Sequence, residues 1–135
     1  CKQGYPFYSG GIIYKSSFTL NKNAGRVHLH LGDFKATVAA VRINGKHAGL
    51  VPWKAADKLD ISKFAGNGKN TVEIEIIGSP RNLLGPLHCK KITGRIGPKE
   101  IHPADDLWTD RYIFVPYGLM GQVKLMRYPP LEKGG

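Results

Sequence analysis

Seven residues in turn-rich stretches of this chain combine ring faces with hydrogen-bonding forks: Tyr5, Tyr8, Trp53, Arg81, Asn82, His88 and Trp108. Aromatic planes beside a few planar polar groups are the make-up of an apolar-lined ligand site with convergent hydrogen bonds. Each has a structural alternative. Trp53 follows Pro52 and could instead pack against the end of a fold, as could Trp108 beside Asp105, Asp106 and Asp110. Asn82 follows Arg81 in an irregular stretch, where asparagine often bonds its own backbone. His88, within Gly85-Pro86-Leu87-His88, could order its own loop. Tyr14 and Phe18 fall in a strand-like run and are expected in the core.

Other chemistry finds less support. His28 and His30, at i and i+2, would point the same way from a strand and could share a metal. No third ligand is evident near them. Asp105, Asp106 and Asp110 supply hard oxygens for a structural calcium, but without a known loop spacing. Glycoside hydrolysis needs two carboxylates about 5–10 Å apart. Glu73 and Glu75 would stand roughly 6.5–7 Å apart on one strand face, yet no cleft or aromatic floor accompanies them. No Gly-x-Ser-x-Gly elbow, phosphate loop or Cys/His nucleophile arrangement is present. The chain reads as non-catalytic and free of cofactors, structural calcium being the one ion left open.

The elements that must position these residues are short and β-like. Val38–Ile43, Asn44-Gly45 and the run from Lys46 read as a hairpin, because a type I′ turn needs positive φ at both central residues. Arg26–Leu31 alternates polar and apolar, directing Val27, Leu29 and Leu31 to a core and Arg26, His28 and His30 away from it. Thr71–Ile77 does the same with Val72, Ile74 and Ile76. Ile12–Leu20, Lys90–Ile96, Arg111–Pro116 and Gln122–Tyr128 are further strand candidates. Ala55–Phe64 is expected to hold a helical turn capped by Asp60 or Ser62. Residues 78–88 and 97–110 read as irregular. About eight strands with turns every 8–12 residues predict an all-β antiparallel sandwich or jelly roll. A single domain is expected over 1–128, with 129–135 as a linker or tail.

Composition agrees. The 135 residues suit one domain, and 17 Gly with 9 Pro punctuate β-branched segments. No window approaches the ~20 apolar residues of a membrane span. No signal-peptide run is present, so any export signal is expected to have been removed or to lie elsewhere. The formal charge of +10 attracts polyanions such as nucleic acid or acidic polysaccharide. The basic residues are spread, however, and form no stripe of the kind nucleic-acid binders carry. Cys1 and Cys89 are too few for a disulfide framework, and sequence alone does not decide whether they pair. Cys1 would suit a lipid-modified N-terminus, but the fold signal begins by Gly4 and leaves no tether. A domain cut from a longer polypeptide is the expectation.

Taken in order, Tyr8-Ser9-Gly10-Gly11-Ile12-Ile13-Tyr14, Val41-Arg42-Ile43-Asn44-Gly45-Lys46 and Gly68-Lys69-Asn70-Thr71-Val72-Glu73-Ile74 resemble the galactose-binding-like β-sandwich domains of large glycoside hydrolases. The sugar-binding domain of family 2 enzymes and the terminal jelly rolls of rhamnosidase-like enzymes are the nearest in pattern. Asn82–His88 and Tyr112–Leu119 fit the same pattern, so the likeness runs from Gly4 to Tyr128. One departure is that such domains commonly have a leading strand before the Tyr-Ser-Gly segment. Only three residues precede Gly4, so one edge of the core is expected to be incomplete.

The resemblance implies a non-catalytic carbohydrate-binding module of a secreted, periplasmic or cell-surface polysaccharide-degrading enzyme. Its partners would be a glycan, plausibly plant-type and acidic given the charge, and a parent catalytic domain. The seven loop residues would then cover the C–H faces of sugars and pair with their hydroxyls. Two alternatives stand beside it: a purely structural domain buttressing the catalytic one, and, more weakly, a polyanion or nucleic-acid binder.

Overall fold

A computed structural model describes residues 5–21, 25–52, 58–92 and 94–129. Within the span expected as one domain, these residues group into two compact units: Cys1–Gly10 with Ser79–Tyr117, and Gly11–Gly78 with Gly118–Gly135. We describe each by itself.

The larger unit is the antiparallel β-sandwich. Its first sheet has the order β1-β7-β4-β5, from strands Gly11–Leu20, Gly68–Ile77, Val38–Ile43 and Lys46–Pro52. Its second runs β6-β2-β9, from Lys58–Asp60, Arg26–His30 and Lys124–Tyr128. A small ladder pairs β3 (Phe34–Lys35) with β8 (Gly118–Leu119). Alternation dictates which side chains are buried. Val27, Leu29 and Leu31 from one sheet, and Val72, Ile74 and Ile76 from the other, are buried as the sequence predicts. Central strand β4 is enclosed on both sides, with Ala39, Ala40, Val41 and Ile43 all buried. Tyr14 departs from expectation. It pairs opposite core residue Ile74, yet remains 37% exposed.

The hairpin forms as predicted, with φ of 52° at Asn44 and 76° at Gly45, both in the left-handed region that a type I′ turn requires. Its tip is tied to β7. Asn44 Nδ2 donates to Asn70 Oδ1 at 2.8 Å, and Thr71 N donates to Asn44 Oδ1 at 2.9 Å. Asn70 is buried, and its amide also bonds the Gly66 and Gly68 carbonyls and the Gly66 N–H.

Three expected elements differ in part or in whole. Among the described residues, the helical turn expected within Ala55–Phe64 is confined to its end, where Ile61 O accepts from Phe64 N and Ala65 N. Residues 58–60 are strand β6, and Asp60 Oδ1 accepts from both Ser62 N and Ser62 Oγ, closing an Asx-type turn in which Ile61 drops into the core. Lys90–Ile96 makes no ladder among the described residues. The pairing there is a single bridge, Cys89 to Trp108. Arg111–Pro116 is not a strand either, because its backbone is satisfied otherwise: Ile113 N donates to Leu87 O and Val115 N to the Asn82 side chain.

The smaller unit is built from bonded loops. The stretches read as irregular each contain one turn of helix, α1 (Arg81–Leu84) and α2 (Pro98–Ile101). Proline at the first position suits α2, and Glu100 Oε2 accepts from Gly97 N at 2.8 Å. No helix of the described residues is long and apolar enough to cross a membrane.

Candidate functional site

Tyr5, Tyr8, Arg81, Asn82, His88 and Trp108 all fall in the smaller unit. Trp53 lies outside the described residues. The structure gathers only part of the set. His88 stacks on Trp108, with ring centroids 4.8 Å apart and planes 19° from parallel. His88 also meets Tyr112, tilted, at 4.9 Å, and Tyr112 stacks on Phe114 at 5.6 Å. Phe7 packs edge-on against both Tyr112 and Phe114. The result is a row of rings, Trp108–His88–Tyr112–Phe114, in the offset and edge-to-face geometries that aromatic quadrupoles favour.

Hydrogen bonds fix the row. His88 Nδ1 lies 2.9 Å from Thr109 O. A carbonyl can only accept, so Nδ1 carries the proton and Nε2 is the acceptor of the neutral ring. Trp108 Nε1 donates to Asp110 Oδ1 at 3.3 Å. Thr109 N donates back to His88 O, and the Cys89–Trp108 bridge holds the two segments side by side. Trp108, at the end of the row, is 44% exposed, and Tyr112, within it, 54%.

Other expected residues are committed inside the fold. Asn82 is buried, donating from Nδ2 to Val115 O and accepting from Val115 N at Oδ1. It thereby acts as a two-bond clamp on the 113–116 segment. Both terminal nitrogens of Arg81 are shut off from solvent. Burial lowers the pKa of this guanidinium, with Cys89 opposing the shift. Its fork therefore lacks the open face that a hydroxyl-rich ligand requires. Tyr5 and Tyr8 are exposed on the segment that carries Phe7 into the ring cluster. Tyr112 and Phe114 fall outside the expected set because residues 111–116 read as a strand, although their i, i+2 aromatic spacing is an available signal; Phe7 lies between Tyr5 and Tyr8 and is not singled out.

The remaining chemistry is also placed. Among the described residues no group of three or more His, Cys, Asp or Glu could hold a metal. His28 Nε2 lies 3.6 Å from Asp60 Oδ2, and its ring packs against Tyr128. Glu73 pairs with Lys15 at 2.8 Å, which holds its carboxyl below the usual glutamate range and makes it a poor proton donor. Glu75 Oε2 lies 3.8 Å from Arg42. Cys89 is a buried free thiol whose S–H donates to Lys91 O. Cys1 lies outside the described residues.

Comparisons with known proteins agree on the setting. A rhamnosidase of Novosphingobium sp. PP1Y matches 88% of this chain at 29% identity and a TM-score of 0.63, while the chain covers 11% of it. A curated protein of Formosa agariphila, whose assignment as a β-glucuronidase is provisional, is 30% identical over 102 residues. That alignment takes in 72% of this chain and 9% of the relative. A Ruminococcus gnavus β-glucuronidase solved with D-glucaro-d-lactam shares the fold, with a TM-score of 0.58 over 91% of this chain at 19% identity. No protein-family model matches. The chain resembles, over most of its length, a sandwich domain of large glycoside hydrolases, and it spans about a tenth of the length of the first relatives it matches.

Proposed function

We propose that this chain is a non-catalytic accessory domain of a secreted polysaccharide-degrading enzyme, and that it holds glycan on the Trp108–His88–Tyr112 row. The observation that carries the reading is the row itself. Trp108 and Tyr112 stay exposed beside their ring partners, and His88 next to both is held in one tautomer with Nε2 as an acceptor. Ring faces cover the C–H surfaces of sugars, while Nε2 and the Asp110 carboxylate accept from hydroxyls. Tyr5 and Tyr8 extend the same unit's aromatic surface. The +10 charge raises the local concentration of polyanions, which favours uronate polymers over neutral glycans. Being similar to a small part of rhamnosidase and β-glucuronidase chains supports a place beside a catalytic domain.

A second reading, a domain that only buttresses its neighbour, is favoured by Phe7. Its edge-on packing against Tyr112 and Phe114 is what a small aromatic core would show. Affinity electrophoresis through gels cast with polygalacturonate or with neutral glycans tests the choice. The binding reading predicts retardation in the uronate gel. Equal mobility in every gel would leave the buttress.

A further inference from the structure

The outward face of the three-stranded sheet gathers bases from all three strands. Because Val27, Leu29 and Leu31 are buried in the core, alternation turns Arg26, His28 and His30 outward. Register carries their partners to the same side: Tyr128 beside Arg26, Met126 and Asp60 flanking His28, Lys124 and Lys58 flanking His30. Lys58, His30 and Lys124 thus form one basic row across the strands, spanning about 10 Å. Arg26, Lys58 and Lys124 are exposed, and Asp60 is the one acid at these positions. It already accepts from Ser62 and lies 3.6 Å from His28.

The basic row ends at a pocket. Its cavity of about 360 Å³ is lined by His30, Gly32, Asp33, Gly121, Gln122 and Lys124, which is within the size range of ligand sites. Two backbone segments cross to build it. A Cβ on Gly32 would lie 2.7 Å from Gln122 O, and one on Gly121 would lie 2.8 Å from Asp33 N. Met120 N and Gly121 N both donate to Asp33 O and lock the crossing. A base, an acid and an amide therefore share one concave frame. We propose that this pocket and the basic row beside it are a second glycan site, which takes a uronate oligomer. Lys124 meets the carboxylate of the sugar in the pocket, and Lys58 one further along the chain. Gln122 and the Asp33 carboxylate, which lies 3.3 Å from Lys35, accept from hydroxyls. DNA is the poorer occupant, since its phosphodiesters bring no hydroxyl to Asp33. The face also offers one ring besides its histidines, Tyr128, too few to stack successive bases. The inference rests on the sandwich unit alone and stands whether or not the Trp108 row binds.

The test uses the 135-residue chain carrying Trp108→Ala, which disables the aromatic row. Amide chemical shifts are followed while trigalacturonate, its methyl ester or a single-stranded DNA oligomer of equal charge is added. Trigalacturonate should move amides at 26–33, 58–60 and 120–126 most. The ester keeps the ring hydroxyls but loses the charges, and should bind at least roughly fivefold more weakly. Lys58→Glu with Lys124→Glu should weaken trigalacturonate at least roughly tenfold, with circular dichroism unchanged because both side chains are exposed. Equal binding of acid and ester, shifts centred elsewhere, undiminished affinity in the double variant, or no binding overturns the proposal. So does tighter binding of the DNA on the same amides, which would make the face a phosphate binder. Failure of the Trp108 row reads differently: wild type and Trp108→Ala would then bind trigalacturonate equally well.

Discussion

The hairpin tip and the start of β7 are joined through two asparagines, Asn44 donating to Asn70 Oδ1 at 2.8 Å. Asn70 is 1% exposed, and its side chain satisfies the Gly66 N–H and the Gly66 and Gly68 carbonyls besides Asn44. A buried amide with so many partners is costly to remove, since each group left unpaired loses its solvation without return.

Asn70→Ala should therefore destabilise the chain by about 2–3 kcal/mol. Asn44→Gly, which keeps the left-handed turn but removes the side chain, should cost about 1 kcal/mol. Urea unfolding with an unchanged m-value checks both. Equal costs would show that Asn70 is no hub.

Asp60 is expected to shape the acid limb of stability. Its carboxyl is held below the usual aspartate range, first by the Ser62 hydroxyl, then by the Ser62 N–H, with His28 adding a smaller pull. A depressed folded pKa gives stability that is present above the unfolded value and lost as pH falls through the folded one. Wild type should thus lose stability below about pH 4, and Asp60→Asn should show a shallower loss there. Melting temperatures across pH 2–7 for the two proteins check the sign.

Gly32 should not tolerate a side chain. Its φ is +65°, and a Cβ there would lie 2.7 Å from the backbone oxygen of Gln122. Gly32→Ala combines left-handed strain with a backbone clash, and about 2 kcal/mol or more should be lost. A thermal melt suffices to check it.

What could be read from the sequence followed from period-two alternation. The Val, Leu and Ile spacing of β2, β4 and β7 announces them, and Asn44-Gly45 names its own turn and so places β5. The smaller unit has no such code. Its 111–116 backbone bonds to Asn82 and Leu87 rather than to a strand partner, so an aromatic, β-branched run looked like a strand without being one. Within the expected site, Trp108 and His88 meet, whereas Asn82 turns inward as a clamp. Asn70 escaped notice because it lies just ahead of the expected strand Thr71–Ile77, and burial of its amide depends on Asn44 arriving from 26 residues away.

Uronate binding should also carry an electrostatic signature. Raising ionic strength from 50 to 500 mM shortens the Debye length to a few ångströms, so retardation by polygalacturonate should fall steeply. Any neutral glycan held by ring stacking should be little affected. Salt-independent uronate binding would remove charge from the account.

On the proposed reading Trp108 is a glycan platform and not merely a packing residue. Calorimetric titration of an oligogalacturonate into wild type and Trp108→Ala, with a melt of each, tests it most directly. Binding by the variant should be at least roughly tenfold weaker, with a melting temperature within a few degrees of wild type. Undiminished affinity in Trp108→Ala, or a collapse of stability with no binding by the wild type, would contradict it.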